Sequence, residues 1–234
     1  MTRSGSPRST PVRVIRIAIV ALAAVLLLPY LLAPLYRVID PVSTLMIARW
    51  VTATRVERTV VLLAQVAPVL PRTVIASEDG RFCRHGGIDW AELRVAIEAA
   101  DDLSEARGGS TITQQTVKNL FLWPGRSLVR KALELLLAMW IELVLPKRRI
   151  MEIYLNVAEW GPNGEFGVEA GARRAFNKSA RQLSAGEAAL LAAVLPNPKR
   201  RNARQPGPSV RRIAGIVQGR AARVASLDAC LRGP

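Results

Sequence analysis

Between Ile17 and Tyr36 the chain runs for twenty residues without a charge, IAIVALAAVLLLPYLLAPLY. A helix rises about 1.5 Å per residue, so about 20 apolar residues cross the roughly 30 Å hydrocarbon core of a bilayer. A buried core helix is the plainer alternative, and the length of the run disfavours it. The run is longer than the apolar region of a typical signal peptide, and no A-x-A-like cleavage site follows it. It is therefore predicted to be an uncleaved transmembrane helix, residues 14–36, with Pro29 and Pro34 placed to bend its second half. Arg3, Arg8, Arg13 and Arg16 precede the run, and the first acid is Asp40. Cytoplasmic flanks carry the excess of Lys and Arg, so the basic tail 1–13 is placed in the cytoplasm and everything after residue 36 outside it.

Charge narrows the partners. The chain has 33 Lys and Arg against 18 Asp and Glu, and only four of the bases lie before the apolar run. A basic domain beside a bilayer suggests an anionic partner, either phospholipid headgroups or a phosphorylated substrate. Nucleic acid suits the charge but not the compartment. His85 is the sole histidine, so no metal cluster is indicated. Cys83 and Cys230 lie far apart; an oxidising compartment permits a disulfide between them, and their spacing does not require one.

The tail 1–13, rich in Ser, Pro and Arg, is predicted to be disordered. Residues 37–70 read as a connector, and 71–234 as the functional domain. Helices are predicted from Asp89 as cap through about Glu105, from Ser110 to about Leu122, and from Ser127 as cap over 128–145. Pro146 can open another that runs to Asn156. Ser184 and Glu187 form a capping box, and Ser209 can start a last, basic helix. There is no strand alternation and no repeat. The fold is predicted to be mostly α, with helices around a cleft.

Four stretches carry polar chemistry. SEDGRFCRHGG (Ser77–Gly87) sets Glu78 beside Asp79 and adds Phe82 and His85. GGSTITQQTVKNLFL places Thr111, Gln114 or Gln115, and Lys118 at helical spacing, with two glycines that allow close approach to an anion. An exposed polar helix face is the plainer reading of that spacing. Arg126, Arg130 and Lys131 gather at the start of the next helix, where they oppose its dipole, a placement that suits a bound anion. Ordinary pairing of Arg130 with Glu134 four residues on is the plainer account there. In PKRRIMEIYLNVAEWG, Ile150, Ile153 and Tyr154 form a core stripe, and Glu152 and Asn156 read as structural cross-braces.

Taken in order, EDGRFCRHGG, GGSTITQQTVKNLF, RKALE, KRRIMEIYLNVAEWG and FGVEAGARRAFNKSARQLSAGEAALLAAVLPNP resemble the motifs of the peptidoglycan glycosyltransferases that polymerise lipid II (glycosyltransferase family 51), in their monofunctional, membrane-anchored form. The resemblance runs from about Pro71 to Pro198. It implies a lysozyme-like, two-lobed α-helical domain in the bacterial inner membrane, single-pass, with the catalytic part outside the cytoplasm. Glu78 matches the general base that deprotonates the GlcNAc 4-hydroxyl for inverting attack on C1 of the donor MurNAc, with undecaprenyl diphosphate leaving. Glu134 matches the second essential glutamate, near that diphosphate. Lys118, Arg126, Arg130 and Lys131 match its cationic holders. Ser110, Thr111, Gln114, Gln115 and Asn119 match the polar lining, and Asp79, Phe82 and His85 match positions that shape the first motif. The resemblance also implies a place near the diphosphate for a divalent cation, Mg2+ or Mn2+, without requiring it. The implied partners are lipid II, the lipid-linked glycan and the bilayer, with cell-wall synthases or division proteins as further partners.

Some positions depart from the family pattern. Pro146 replaces a common serine and Arg107 a common glutamine. The stretch from Glu92 to Glu105 is acidic where bases are expected, which bears on how that lobe meets lipid. A lysozyme-like hydrolase or lytic transglycosylase is the alternative activity. It has no use for so many cations, because its glycan substrate carries no diphosphate.

Overall fold

The computed structural model describes residues 10–99, 108–125, 127–223 and 226–232. Helix α1 (Thr10–Leu32) is exposed along nearly its whole length and continues through a 3-10 turn, Ala33–Arg37. Among the described residues, Val12–Arg37 is the one span long and apolar enough to cross a membrane. Pro29 lies inside α1 without ending it. Thr10 to Arg13, expected in a disordered tail, are already helical, because an apolar helix of this length nucleates once and propagates cheaply outward. Residues 1–9 lie outside the described part.

The end of this helix is bonded to the rest of the molecule. Trp140 Nε1 donates to the Tyr30 carbonyl at 3.2 Å, Arg37 Nε to that of Val144 at 2.6 Å, and Arg149 Nε to that of Tyr36 at 2.7 Å.

Residues 37–70, expected as a connector, are woven into the core. Helix α2 (Thr44–Val51) is capped by Ser43, whose hydroxyl accepts from the Met46 N–H at 3.1 Å, and Met46 is fully buried. Strand β1 (Glu57–Arg58) pairs in parallel with β2 (Glu165–Phe166), with Glu57 opposite Glu165. Two-residue strands are too short for any alternation to betray them. The expected cross-braces hold this stretch down: Asn156 Oδ1 accepts from Val61 N at 3.0 Å, and Glu152 Oε2 from Leu63 N at 2.6 Å.

The remaining helices are α3 (Val69–Glu78), α4 (Trp90–Glu98), α5 (Ile112–Phe121), α6 (Leu128–Val144), α7 (Lys147–Val157), α8 (Val168–Phe176), α9 (Ala185–Val194) and α10 (Pro208–Arg223). The molecule is mostly α, as its sequence indicates. Asp89 caps α4 and Ser127 caps α6, and Ser184 with Glu187 closes the capping box of α9. The extension of α4 toward Glu105 falls outside the described residues. The cap of α5 is Thr111, not Ser110. Thr111 Oγ1 accepts from Gln114 N at 3.1 Å, and Gln114 Oε1 accepts from Thr111 N at 2.8 Å. The reciprocal box needs a Glu or Gln three residues after the cap, which Thr111 has and Ser110 lacks.

Two helical groups meet at the functional end. α3 packs on α9 and α10, and α5 packs on α6 and α7. Buried Ala188, Ala189, Ala192 and Ala193 line α9 and let its neighbours approach closely. Ile150, Ile153 and Tyr154 of α7 are buried as the core stripe required. Gly87 has φ +89°, and a Cβ there would stand 2.6 Å from the Ala138 carbonyl oxygen, so only glycine lets the chain pass this close to α6.

Cys83 and Cys230 form a disulfide, with Cα atoms 5.4 Å apart across 147 residues of sequence. The pairing depends on the path of the chain after α10, which returns to the turn following α3; no local spacing encodes it.

Candidate active site

Glu78 ends α3, and its carboxylate lies at the junction of the two helical groups. Ser77 Oγ donates to Glu78 Oε1 at 2.9 Å, and Gln115 Nε2 donates to Oε2 at 3.1 Å. Burial pushes the Glu78 carboxyl above the ordinary carboxylate range. The two hydrogen bonds and the charges of Arg201 and Lys118 oppose that rise without cancelling it. The Tyr154 hydroxyl donates to Gln115 Oε1 at 3.2 Å, which turns the Gln115 amide group toward Glu78. Complete burial, and then the nearby Glu78 and Asp79, raise the Tyr154 phenol well above its usual value, so it stays a donor.

Asp79, adjacent in sequence, does different work. Its Oδ2 accepts from Ile112 N at 2.9 Å, and His85 Nε2 lies 2.9 Å from Oδ1. The carboxylate thus ties the first motif to the first turn of α5, where negative charge is favoured. Phe82 is fully buried, with Lys147 Nζ 4.4 Å from its ring centre. Lys147 pairs with Glu142 at 2.6 Å, and Thr113 Oγ1 donates to the same carboxylate at 2.5 Å. Asp79, Phe82 and His85 are therefore framework around Glu78.

The polar face expected on α5 divides in the same way. Thr111 and Gln114 are buried and form the capping box, with Thr111 Oγ1 also donating to the Gly87 carbonyl at 2.6 Å and Gln114 Nε2 buried without a partner among the described residues. Among the described residues Asn119 contributes its carbonyl, as acceptor from Thr44 at 3.1 Å. Gln115 and Lys118 face the site.

Beyond Lys118 the cations gather around one acid. Glu134 is buried; its Oε2 accepts from Arg130 Nη1 at 2.5 Å and its Oε1 from Lys131 Nζ at 2.6 Å. Lys131 Nζ also donates to Ser110 Oγ at 3.0 Å. Arg130 Nε is buried with no partner among the described residues. Burial lowers the Lys118 pKa; Glu134 and Glu78 pull it back up, while Arg130 and Lys131 push it further down. Lys118 thus feels Glu78 on one side and the Glu134 cluster on the other. The i,i+4 pairing of Arg130 with Glu134 is present, and it is part of this cluster, not an alternative to it. Arg126 lies outside the described residues.

A cavity of about 410 Å3 opens over Glu78 and Ser110. Its lining also includes Arg220 of α10 and Leu227. Arg201, Arg220, Leu227 and Ser77 were not singled out in the sequence. Ser77 is adjacent to Glu78 and could have been; the other three reach the site only through the tertiary fold.

Comparison with known proteins bears on the whole of this arrangement. The transglycosylase family model matches residues 45–222. A protein of Nitrobacter hamburgensis named biosynthetic peptidoglycan transglycosylase is 60% identical over 220 residues, covering 94% of this chain and 97% of that one. A protein of that name from Rhodopseudomonas palustris strain TIE-1 is 57% identical over 229 residues, covering 98% and 96% of the two chains. Another, from Rhizobium johnstonii, is 52% identical over 211 residues, covering 89% and 86%. The matched span takes in every described site residue from Glu78 to Glu134 and most of the stretch first read as a connector, and with likeness of this extent the chain belongs to the transglycosylase family.

Proposed function

We propose that this chain is a peptidoglycan glycan polymerase, transferring a growing lipid-linked glycan to lipid II. The observation that carries the reading is the separation of one carboxylate from a caged set of cations, with Lys118 electrostatically coupled to both. Glu78 takes the proton of the acceptor GlcNAc 4-hydroxyl. Its raised pKa brings it nearer the hydroxyl's needs than an ordinary carboxylate. The acceptor oxygen forms its bond to C1 of the donor MurNAc from the face opposite the leaving group. The C1–O bond breaks, and its electron pair leaves on undecaprenyl diphosphate. Lys118, Arg130 and Lys131, with Arg126, meet the negative charge that grows there. Cations fixed in advance stabilise that charge without reorganising during the reaction.

In this reading Glu134 is the keeper of the cations. It holds Arg130 and Lys131 in place before a diphosphate arrives and offsets their mutual repulsion. A divalent cation near the diphosphate would draw its oxygen ligands chiefly from the phosphates and water. Both oxygens of Glu134 are occupied by Arg130 and Lys131, and no group of three His, Cys, Asp or Glu that could hold a metal exists among the described residues.

The apolar span Val12–Arg37 serves as a single membrane anchor with its N-terminus in the cytoplasm, which sets the cleft outside the inner membrane where lipid II is held. Cell-wall synthases or division proteins are the partners to expect in that compartment.

The test is purified full-length protein with lipid II, read as glycan polymer. Polymer is the expected product, and a parallel reaction with a chelator decides whether a divalent cation is needed. Cleavage of finished peptidoglycan without any chain growth from lipid II would replace this reading with a hydrolase.

A further inference from the structure

Chain polymerisation, as described, gives no work to the C-terminal segment, yet that segment builds one wall of the cleft. Arg220 and Leu227 line the cavity that holds Glu78 and Ser110. Three links fix them there. Arg72 Nε donates to the Ala221 carbonyl at 2.7 Å, and Arg148 Nη1 to that of Leu231 at 2.9 Å. The disulfide from Cys230 reaches Cys83, and the Leu227 carbonyl lies 3.3 Å from Cys83 Sγ. The staple therefore joins the C-terminal segment to the turn that directly follows Glu78 and Asp79.

Arg220 is exposed in this wall, and its guanidinium has no partner among the described residues. Of the acids that share the cavity lining, Asp89 is already paired with Arg81 at 3.3 Å and caps α4, Asp79 is bonded to Ile112 N and His85, and Glu78 is the proposed base, which leaves Glu92 as the one acid there with no ion pair among the described residues. On its own element there is nothing to neutralise it, since no Asp or Glu occurs from Lys199 to Arg223. The cavity lining does not include Lys118 or Arg130, and it meets the cation cluster at Ser110, whose Oγ accepts from Lys131 Nζ at 3.0 Å.

We propose that Arg220 binds an anionic group carried by the glycan substrate, and that the Cys83–Cys230 disulfide holds Arg220 and Leu227 in place to do so. The proposal rests on the polymerase reading above. The anion is a carboxylate of the peptide stem borne by MurNAc or an oxygen of the lipid diphosphate. Planar guanidinium recognises both, in two-pronged fashion.

The experiment uses the full-length chain and steady-state polymerisation of lipid II. Arg220→Gln raises KM about tenfold, the value of one charge-assisted hydrogen bond, with little change in kcat. Arg220→Lys recovers part of the loss, and Arg211→Gln, exposed elsewhere on α10, leaves KM where it was. The Cys83→Ser, Cys230→Ser double variant raises KM in the same direction, with far-ultraviolet dichroism confirming that it is folded. Repeating the comparison on lipid II with amidated stem carboxylates separates the sources. The Arg220→Gln effect vanishes there when the stem supplies the anion and persists when the diphosphate does. Equal KM for Arg220→Gln, Arg211→Gln and wild type overturns the role of Arg220, and an unchanged KM in the double serine variant overturns that of the disulfide. A wild-type chain that makes no polymer at all overturns the polymerase reading instead.

Discussion

Gln115 donates to Glu78 across 3.1 Å, binding the last residue of α3 to the second turn of α5. The contact spans the two helical groups, so the environment of the proposed base depends on how they are docked. The bond also favours the ionised form of Glu78 against the effect of burial. Gln115→Ala should therefore raise the Glu78 pKa further. The acid limb of the kcat/KM profile, where the base must lose its proton, should move to higher pH. A profile coincident with wild type would show that the bond does not tune the base.

Glu78→Gln separates catalysis from folding. Burial holds the folded carboxyl above its unfolded value. Between those two values the folded state binds more protons than the unfolded one, so stability falls as pH rises through that window. Above it, the ionised base remains a standing cost. The glutamine variant should thus melt above wild type at neutral pH, with the gap closing as pH falls below the ordinary carboxylate range. Its polymerisation should fall by about 100-fold or more. Calorimetric melts over a pH series, beside a lipid II assay, check both halves.

Removal of the Glu134 charge should be felt at Lys118. Glu134 is the largest influence raising the Lys118 pKa against burial. Glu134→Gln lowers that pKa further, so Lys118 loses its proton at lower pH. The affinity for inorganic pyrophosphate, measured by titration calorimetry, should then decline with rising pH earlier than in wild type. Parallel pH dependences in the two proteins would contradict the coupling.

Gly87→Ala should be among the costliest small changes in the chain. The residue would carry a side chain at φ +89° and place its Cβ 2.6 Å from the Ala138 carbonyl oxygen, a backbone atom that cannot swing aside. A loss of about 2 kcal/mol or more is expected from the combined strain and overlap. Denaturant unfolding gives the number, and a loss under about 0.5 kcal/mol, the scale of an ordinary surface change, would mean that α6 shifts freely.

The caps at Asp89, Ser127 and Ser184 were legible because each acts within four residues of chain. Glu78 and the Lys118–Glu134 cluster were legible as motifs, and their polar spacing alone did not distinguish them from an exposed helix face. What local pattern could not carry was whatever depends on the return of distant chain. Thr111 outcompetes Ser110 as cap because its reciprocal partner is Gln114, a contest decided by one residue of register. Residues 37–70 looked like linker because their buried groups, Met46 and the later cluster Leu63, Val66, Ala67 and Leu70, sit on short elements broken by turns. The Cys83–Cys230 bond and the approach of Arg201 and Arg220 to the cleft follow from the packing of α9 and α10 on α3, which no periodicity within those helices announces.

The carbonyls of Tyr30 and Tyr36, at the C-terminal end of the apolar helix and in its 3-10 continuation, accept from Trp140 and Arg149, and Arg37 donates back to Val144. There is no free leash between the apolar helix and the catalytic body; three hydrogen bonds join the two. With that helix as the proposed anchor, the elevation of Glu78 above the lipid surface is set by the seam where α1 and its 3-10 continuation meet α6 and α7. A glycolipid whose headgroup stands at another height would meet the cleft out of register, however well its sugars and phosphates matched.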